Sequence, residues 1–312
     1  MPKLPNFFLA GVPKAGTSSL CAYLRQHPDV YVSPIKEPTF FAAADLLSDP
    51  YRQQVLRFME RDPEHLRAYL DDTQGARPGK HYILRWDDYI RLFQNVVHET
   101  AIGEATVDYF WLPSAAEAIR RRLPDARLIF VLRHPVERLF SWFVISLRRD
   151  PRLTFEKWFR TAMRPGSAWW PVVDTGRYAT HLERFFGLFP RHQIRIYLYD
   201  AYESDARAMV RDIFAFLGVD PSYPIDMARR LNETVVPRSA VVHRLRRRIL
   251  GNRSVIRRLP EAVKRVLRHL YFRPREDFTL GPEDRRLVIA YYQDEIVRTG
   301  ELIGQDLSAW LR

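Results

Sequence analysis

The stretch Phe7-Phe8-Leu9-Ala10-Gly11-Val12-Pro13-Lys14-Ala15-Gly16-Thr17-Ser18-Ser19-Leu20 predicts a short apolar strand, a loop of small residues and the start of a helix. Such a loop directs backbone N–H groups at an anion, and the partial positive charge of the helix N-terminus lies behind them. The stretch therefore indicates a site for a phosphate or sulfate group. The structural alternative is a plain strand-to-helix turn in which Thr17 or Ser18 is the N-cap.

The position of the lysine separates this loop from that of a nucleotide kinase. In the P-loop G-x-x-x-x-G-K-[ST], the lysine directly precedes the hydroxyl residue that binds magnesium. Here Gly11 and Gly16 keep the interval, but Thr17 follows Gly16 directly and the lysine is Lys14, at the tip of the loop. We expect Lys14 to reach an oxygen that bridges two anionic groups, as in a phosphosulfate or a polyphosphate, while Thr17 and Ser18 supply further donors.

Length and composition indicate a globular protein. The 312 residues, 46% of them hydrophobic, suit one domain over residues 1–312. No run approaches the ~18 to 20 apolar residues of a membrane span, and the N-terminus has a strand pattern rather than a signal segment, so we expect a cytoplasmic protein.

The single cysteine, Cys21, excludes an intrachain disulfide and a cysteine-built zinc site, and we expect a buried, inert thiol.

The positive charge is concentrated in one segment, Arg229–Arg275. It carries fourteen arginines and one lysine against two glutamates, which accounts for the net charge of +12. Its apolar residues recur at helical spacing and predict amphipathic helices with an arginine-rich face. This face is either simply solvated or attracts an anionic acceptor, an anionic cofactor or the acidic inner surface of a membrane. No zinc-finger spacing or RNP-type aromatic motif is present, so we expect no nucleic acid partner.

Strand and helix patterns alternate along most of the chain. This alternation predicts an α/β fold with a central parallel sheet flanked by helices, and ligands bind at the carboxyl ends of such strands. Residues 42–99 interrupt the rhythm and are predicted to be a helical insertion that forms one wall of a substrate cleft. The predicted strands are Asn6–Ala10, Val30–Val32, Leu128–Leu132 and Gln193–Leu198. The predicted helices are Thr17–Gln26, Ser114–Arg122, Pro135–Arg148, Thr180–Leu188, Ala206–Leu217 and Pro282–Gly304.

A second motif follows the strand Leu128–Leu132. In kinases and ATPases, the second core strand usually ends in the aspartate that helps to hold magnesium. Here the strand ends in a cation, Arg133, and the next helix carries Arg138 and Ser141. Arg133 and Ser141 suit a second phosphate, and we expect no metal because no carboxylate is apparent at this position.

The two stretches Pro13–Leu20 and Leu132–Ser141 together resemble the two cofactor signatures of sulfotransferases that use 3′-phosphoadenosine 5′-phosphosulfate (PAPS). The resemblance implies a P-loop-like sulfotransferase fold and an enzyme that transfers a sulfuryl group to a hydroxyl. It also implies that Arg133 and Ser141 bind the 3′-phosphate of PAPS. The residues implied to cradle the 5′-phosphosulfate are Lys14, Ala15, Gly16, Thr17 and Ser18.

Further elements are similar to the branch of heparan-type sulfotransferases and their bacterial relatives. The run Ile35–Phe41 resembles that branch's Glu-x-x-Phe-Phe element, which implies that Glu37 is the catalytic base. The run Gly103–Phe110 resembles a Gly-Glu-Lys-Thr-Pro-x-Tyr-Phe element, which implies acceptor contacts for Glu104 and Tyr109. The run Gly176–Ile194 resembles a third element of the branch.

Two departures limit the resemblance. The lysine of the Gly-Glu-Lys-Thr element is Ala105 here, which removes a cation that would otherwise lie near the acceptor. The C-terminal Lys-Gly-Arg loop of the animal enzymes, which touches the 3′-phosphate, has no clear match. Pro237-Arg238-Ser239 is a candidate substitute, with Arg238 as the cation.

An alcohol needs a positioned base to attack sulfur, and such a base contributes about 10²- to 10⁴-fold in rate. Glu37 precedes Pro38, which predicts an extended backbone that presents the side chain. The alternative is a surface carboxylate paired with Lys36. Glu104 is the competing carboxylate, and His134 and His181 are weaker candidates. Lys14 is expected to stabilise the charge on the departing oxygen.

Two other functions remain open from the residues: a P-loop kinase that uses ATP, and a non-catalytic protein that binds an anionic polymer or a membrane. For the transferase, the expected acceptor is a carbohydrate or lipid-linked glycan, with a small molecule as the alternative. Several aromatic residues are candidates for stacking on sugar rings, although core packing is the commoner role of such residues. They are Trp86, Tyr89, Tyr109, Trp111, Trp169 and Trp170.

Overall fold

The computed structural model describes residues 3–48, 63–71, 82–147, 150, 152–227, 235–237, 272–274 and 279–312. Within them, five strands form one parallel sheet in the order β2-β3-β1-β4-β5. β1 and the part of β4 that follows Arg127 are buried apolar runs, as strands covered on both faces require. The strands are β1 (Phe7–Leu9), β2 (Val30–Val32), β3 (Ala101–Ala105), β4 (Arg127–Leu132) and β5 (Ile194–Leu198).

Helices connect and flank these strands. The long C-terminal helix agrees with its predicted bounds to within one residue, and the predicted α/β class is confirmed. The described helices are α1 (Thr17–Leu24), α2 (Ala43–Ser48), α3 (Pro63–Asp71), α4 (Trp86–Arg91), α5 (Pro113–Arg122), α6 (Pro135–Ser146), α7 (Phe155–Ala162), α8 (Trp170–Asp174), α9 (Tyr178–Leu188), α10 (Tyr199–Leu217) and α11 (Pro282–Ile303). None of these described helices is long and apolar enough to cross a membrane.

The predicted insertion at residues 42–99 contains α2, α3 and α4, while residues 49–62 and 72–81 lie outside the described residues. The basic segment Arg229–Arg275 is predicted to be helical. Near its two ends, however, the structure has two short strands, β6 (Val235–Pro237) and β7 (Phe272–Pro274), which pair antiparallel. The predicted amphipathic helices between them, and Arg238, lie outside the described residues.

The chain divides into two compact units. The first consists of residues 1–134, 177–231 and 295–307 and contains the five-stranded sheet. The second consists of residues 135–176, 232–294 and 308–312 and contains α6, α7 and α8. The single domain expected from the sequence stays a prediction.

The carboxyl ends of the parallel strands meet at one edge of the sheet. The chain turns to one side of β1 to form β2 and β3, and to the other side to form β4 and β5. Ligands bind beside such a reversal of strand order in open α/β sheets. The segment after β1 and the segment after β2 therefore leave the sheet at its expected binding edge.

Candidate active site

The first residues of the loop after β1 are hydrogen-bonded to β4. The N–H groups of Ala10 and Val12 donate to the carbonyls of Ile129 and Val131, both at 2.9 Å. A Cβ atom on Gly11 would lie 2.6 Å from the backbone nitrogen of Val131. Gly11 is therefore required by the close approach of two backbones, and it fixes where the loop departs from the sheet.

The tip of the loop contains two left-handed residues. Lys14 has a φ of +73° and Gly16 a φ of +77°. Gly16 is the N-cap of α1 without a side-chain cap, so the alternative with Thr17 or Ser18 as N-cap is wrong. No described backbone carbonyl accepts from the N–H groups of Gly16, Thr17 or Ser18. These amides are the donors that an anion at a helix N-terminus uses, so the loop fits a phosphate or sulfate group.

Arg133, at the exit of β4, holds the loop tip in place. Its Nη1 donates to the carbonyl of Lys14 at 2.7 Å, and its guanidinium lies over the ring of Tyr199, 4.3 Å from the centroid. The hydroxyl of Tyr178 donates to the carbonyl of Arg133 at 2.6 Å. Arg133 thus supports the left-handed lysine, and its expected contact with a 3′-phosphate stays a prediction.

Sequence reasoning missed Tyr199. A Cβ atom on Gly16 would lie 3.0 Å from Cε2 of Tyr199, so the tyrosine ring forms one side of the loop. The available signal was its position directly after the predicted strand Gln193–Leu198, at the same edge of the sheet as the loop.

In the second unit, α6 buries both Arg138 and Ser141, which are 0% and 1% exposed. The guanidinium nitrogens of Arg138 have no hydrogen-bond partner among the described residues. A Cβ atom on Gly176 would lie 2.7 Å from Nη2 of Arg138, so the glycine leaves room for the guanidinium. The expected role of Ser141 at a 3′-phosphate stays a prediction.

Glu37 has a φ of +62°, so the extended backbone predicted from Pro38 is wrong. The N–H of Glu37 donates to the carbonyl of Ala105 at 2.9 Å, and its own carbonyl accepts from Oγ1 of Thr39 at 2.9 Å. Thr39 is left-handed as well, with a φ of +60°. These bonds hold a tight turn after β2 and outweigh the preference that proline imposes on the preceding residue.

Backbone strain marks the two segments that carry the predicted catalytic residues. Among the described residues other than glycine, positive φ angles occur at Lys14, Glu37 and Thr39. Each such residue costs on the order of 1–3 kcal/mol, and these conformations cluster at functional sites. The observed strain thus coincides with the lysine and the carboxylate that the sequence motifs single out.

Lys36 links the two segments. Its Nζ donates to Oγ of Ser18 at 2.9 Å and to Oε1 of Glu37 at 3.0 Å. The side chains of Lys36 and Glu37 are 29% and 33% exposed, so an approaching molecule can reach both. Sequence reasoning anticipated the pair with Glu37 but missed the bond to the loop. Cys21, on the adjacent helix α1, is buried as predicted, and burial raises the pKa of its thiol.

Glu104, on β3, is fully buried. Its Oε1 accepts from the hydroxyls of Tyr89 and Tyr109, at 2.7 and 2.9 Å, and its Oε2 accepts from Oγ1 of Thr106 at 2.6 Å. Burial raises the pKa of Glu104 to about 7, although these three hydrogen bonds oppose the rise. The hydroxyl of Tyr109 also accepts from the N–H of Phe41, at 3.3 Å. The arrangement is structural, and the expected acceptor contacts of Glu104 and Tyr109 stay predictions.

The remaining candidates divide by exposure. Tyr89 belongs to the core, stacked on Phe40 with ring centroids 4.8 Å apart. His134 and His181 are buried, 7% and 4% exposed. No three His, Cys, Asp or Glu side chains within the described ranges are grouped so that they could hold a metal ion. The partly exposed aromatic candidates are Trp86, Trp111, Trp169 and Trp170.

The sheet and its loops define a P-loop-like α/β protein in which a loop that fits an anion and the carboxylate of Glu37 lie at the same edge of the sheet. Residues 5–223 match the family model described as the sulfotransferase family, and the chain belongs to that family. The resemblance that the motifs indicated is confirmed.

Three similar proteins illustrate the relationship. A sulfotransferase from Alicyclobacillus acidocaldarius, known from its crystal structure, is 29% identical with a TM-score of 0.68, over 99% of this chain and 100% of that one. Human heparan sulfate glucosamine 3-O-sulfotransferase 6 is 28% identical over 70% of this chain. Mouse bifunctional heparan sulfate N-deacetylase/N-sulfotransferase 3 is 23% identical over 99% of this chain. The matches cover only 53% and 31% of these two curated relatives.

Proposed function

We propose that this protein transfers the sulfuryl group of PAPS to a hydroxyl of a carbohydrate acceptor. The observation that carries the proposal is the link through Lys36, which joins the anion-binding loop to the carboxylate of Glu37. A sulfuryl transfer needs both parts side by side, because the acceptor must lose a proton as it attacks the donor. Family membership favours this function over the ATP-dependent kinase.

For the donor, the residues that would hold the phosphosulfate are Lys14 and the amides of Gly16, Thr17 and Ser18. PAPS supplies a sulfuryl group on a phosphate leaving group. The lysine offers a positive charge to the bridging oxygen as that oxygen takes up the electrons of the broken bond. Arg133 keeps the lysine in place through its carbonyl.

For the acceptor, Glu37 takes the proton of the attacking hydroxyl. Lys36 occupies Oε1 of Glu37, and Oε2 has no hydrogen-bond partner among the described residues. This second oxygen is the proton acceptor in our proposal. The turn after β2 holds it at the binding edge of the sheet, where the acceptor would approach.

The names of the relatives support a carbohydrate acceptor, since one acts on heparan sulfate glucosamine and another is carbohydrate sulfotransferase 15 of Homo sapiens. A lipid-linked glycan and a small molecule are outcomes that an acceptor panel distinguishes. Contact of Arg229–Arg275 with an acidic membrane surface stays a prediction, because almost all of that segment lies outside the described residues. The expected cytoplasmic location stays a prediction as well.

A thermal-shift experiment tests the donor. We expect 3′-phosphoadenosine 5′-phosphate (PAP) to raise the melting temperature without magnesium, since ligands that bind the folded state stabilise it. ATP with magnesium serves as the comparison. Stabilisation by ATP and magnesium alone would contradict the assignment of the donor.

A transfer assay tests the reaction. Sulfate-labelled PAPS is offered with desulfated heparan-type oligosaccharides, a lipid-linked glycan and a simple phenol. We expect label on a glycan hydroxyl. Label on the phenol alone would reject the carbohydrate acceptor, and absence of transfer to every member and to water would reject the proposed function.

A further inference from the structure

Lys36 lies between the two halves of the candidate site. Its ammonium group contacts Ser18, in the loop that is proposed to hold the donor, and also contacts Glu37, the proposed base. An ammonium group has three donors in all. Two are used by these contacts, and one is left for an oxygen atom of the transferring group.

We propose that Lys36 is a further catalytic residue, which contacts the sulfuryl group during transfer and pairs in turn with the base and with the departing phosphate. This inference depends on the proposed function. It assigns to Lys36 a part in the reaction, whereas a surface ion pair would only contribute slightly to stability.

Charge balance explains why a cation is needed at this place. Glu37 is a carboxylate, and PAPS is a polyanion, so the base and the donor repel each other at close range. Lys36 lies between the loop and Glu37 and offsets that repulsion. Its partial burial, with 29% of the side chain exposed, makes the charge more effective than it would be in open solvent.

The reaction step itself changes which group Lys36 neutralises. The acceptor hydroxyl gives its proton to Glu37, its oxygen forms the new bond to sulfur, and the bond from sulfur to the bridging oxygen breaks. The electron pair of that bond stays on the phosphate of PAP. Glu37 is then neutral, so the ion pair with Lys36 is lost just as negative charge appears on the phosphate near Ser18.

The neighbouring strand fixes the segment that carries Lys36 and Glu37. The carbonyl of Ala105, on β3, accepts from the N–H of Glu37 at 2.9 Å. Together with the bond from Lys36 to Ser18, this contact holds the ammonium group between the loop and Glu37.

The test compares Lys36→Met, Lys36→Arg and the matched control Lys157→Met, whose lysine is exposed on α7. Single-turnover transfer from PAPS is measured at saturating donor, with the acceptor that the panel selects or with water. We expect Lys36→Met to lower the rate about 10²- to 10³-fold, as the loss of one transition-state donor does. Lys36→Arg should stay within about 10-fold of the wild type, since it keeps the charge, and the control should match the wild type.

Comparison of the rate at saturating donor with the affinity for PAP separates catalysis from a role in donor binding. In Lys36→Met, the rate of transfer should fall while PAP still stabilises the protein. A rate within threefold of the wild type would overturn the proposal. So would weaker PAP binding with an unchanged rate at saturating donor, because Lys36 would then only hold the donor.

Failure of the proposed function has a different signature. In that case the wild type itself shows neither stabilisation by PAP nor transfer of label. If both the wild type and Lys36→Met are stabilised by PAP and turn over equally, the proposed function stands and Lys36 has no catalytic part.

Discussion

Two carboxylates at the ends of neighbouring strands have opposite environments. Glu37 follows β2 in a strained turn, one-third exposed and paired with Lys36. Glu104 lies on β3, fully buried, and accepts three hydrogen bonds from hydroxyl groups. The backbones of the two segments are hydrogen-bonded to each other, from Glu37 to Ala105. The two glutamate side chains nevertheless suit different roles.

The difference shows which carboxylate is suited to each role. A general base must be within hydrogen-bond reach of the substrate proton, and the side chain of Glu37 is partly exposed, as such a role requires. Glu104 has no exposed surface, and its oxygens already bind the groups that hold Phe41 and the segment after β3. The buried carboxylate therefore supports the turn that presents the exposed one.

The largest expected effect is that of Glu37→Gln. Turnover should fall about 10²- to 10⁴-fold because the amide takes no proton, while PAP still stabilises the protein. Single-turnover kinetics measure the rate, and a thermal shift with PAP on the same sample measures donor binding. Turnover equal to that of the wild type would remove Glu37 from the role of base.

Lys14→Ala should come next. The loss of a charge that stabilises the leaving oxygen costs roughly 2.7–4 kcal/mol of barrier, or about 10²- to 10³-fold in rate. PAP binding should weaken as well, in contrast to Glu37→Gln, because Lys14 belongs to the donor half. Equal PAP affinity in the two variants would contradict this division of the site.

Glu104 predicts a pH dependence of stability. Its pKa is raised from 4.5 unfolded to about 7 folded, so the folded state binds the proton more tightly. The contribution of Glu104 to the free energy of unfolding is fully present below pH 4.5. It is lost as the pH rises through 7, and the loss amounts to about 3 kcal/mol. Urea unfolding between pH 5 and 8 measures it. Glu104→Gln should flatten the curve, and an equally steep curve in this variant would exclude Glu104 as the cause.

The smallest effects distinguish the two tyrosines. Tyr89→Phe removes one hydrogen bond to Glu104 and should cost about 1 kcal/mol of unfolding free energy. Tyr109→Phe should cost about 2 kcal/mol, because the N–H of Phe41 also loses its acceptor. Only Tyr109→Phe should lower turnover as well, since Phe41 follows the turn that carries Glu37. If the two variants change the free energy of unfolding and the turnover equally, Tyr109 does not support the turn that carries Glu37.

Much of the fold could be predicted from local patterns. The strands β1, β2, β4 and β5 and the helix α11 follow from apolar runs and periodicity, and the loop follows from its glycine spacing. The interior strand β3, Ala101–Ala105, was missed because Gly103 and Glu104 interrupt its apolar pattern. The structure gives the reason for the glycine: a Cβ atom there would lie 2.4 Å from the carbonyl oxygen of Phe7.

The site was predictable in its parts and not in its connections. Lys14 and Glu37 follow from motifs, but the bond from Lys36 to Ser18 joins segments that only the sheet brings together. The turn at Glu37 was predicted wrongly because the proline rule is local, and the hydrogen bond to Ala105 comes from another strand. The segments that follow two strands come into contact only when the strand order of the sheet makes them neighbours. No single segment of the sequence encodes that order.

The left-handed backbone of Lys14 has a consequence for the engineering of this protein. Glycine adopts a φ of +73° without strain, so Lys14→Gly should make the chain more robust to heat while it removes the charge that we propose stabilises the leaving oxygen. A library screened for heat resistance alone would discard the lysine early. Any search for a sturdier variant must therefore hold position 14 fixed or select for turnover in every round.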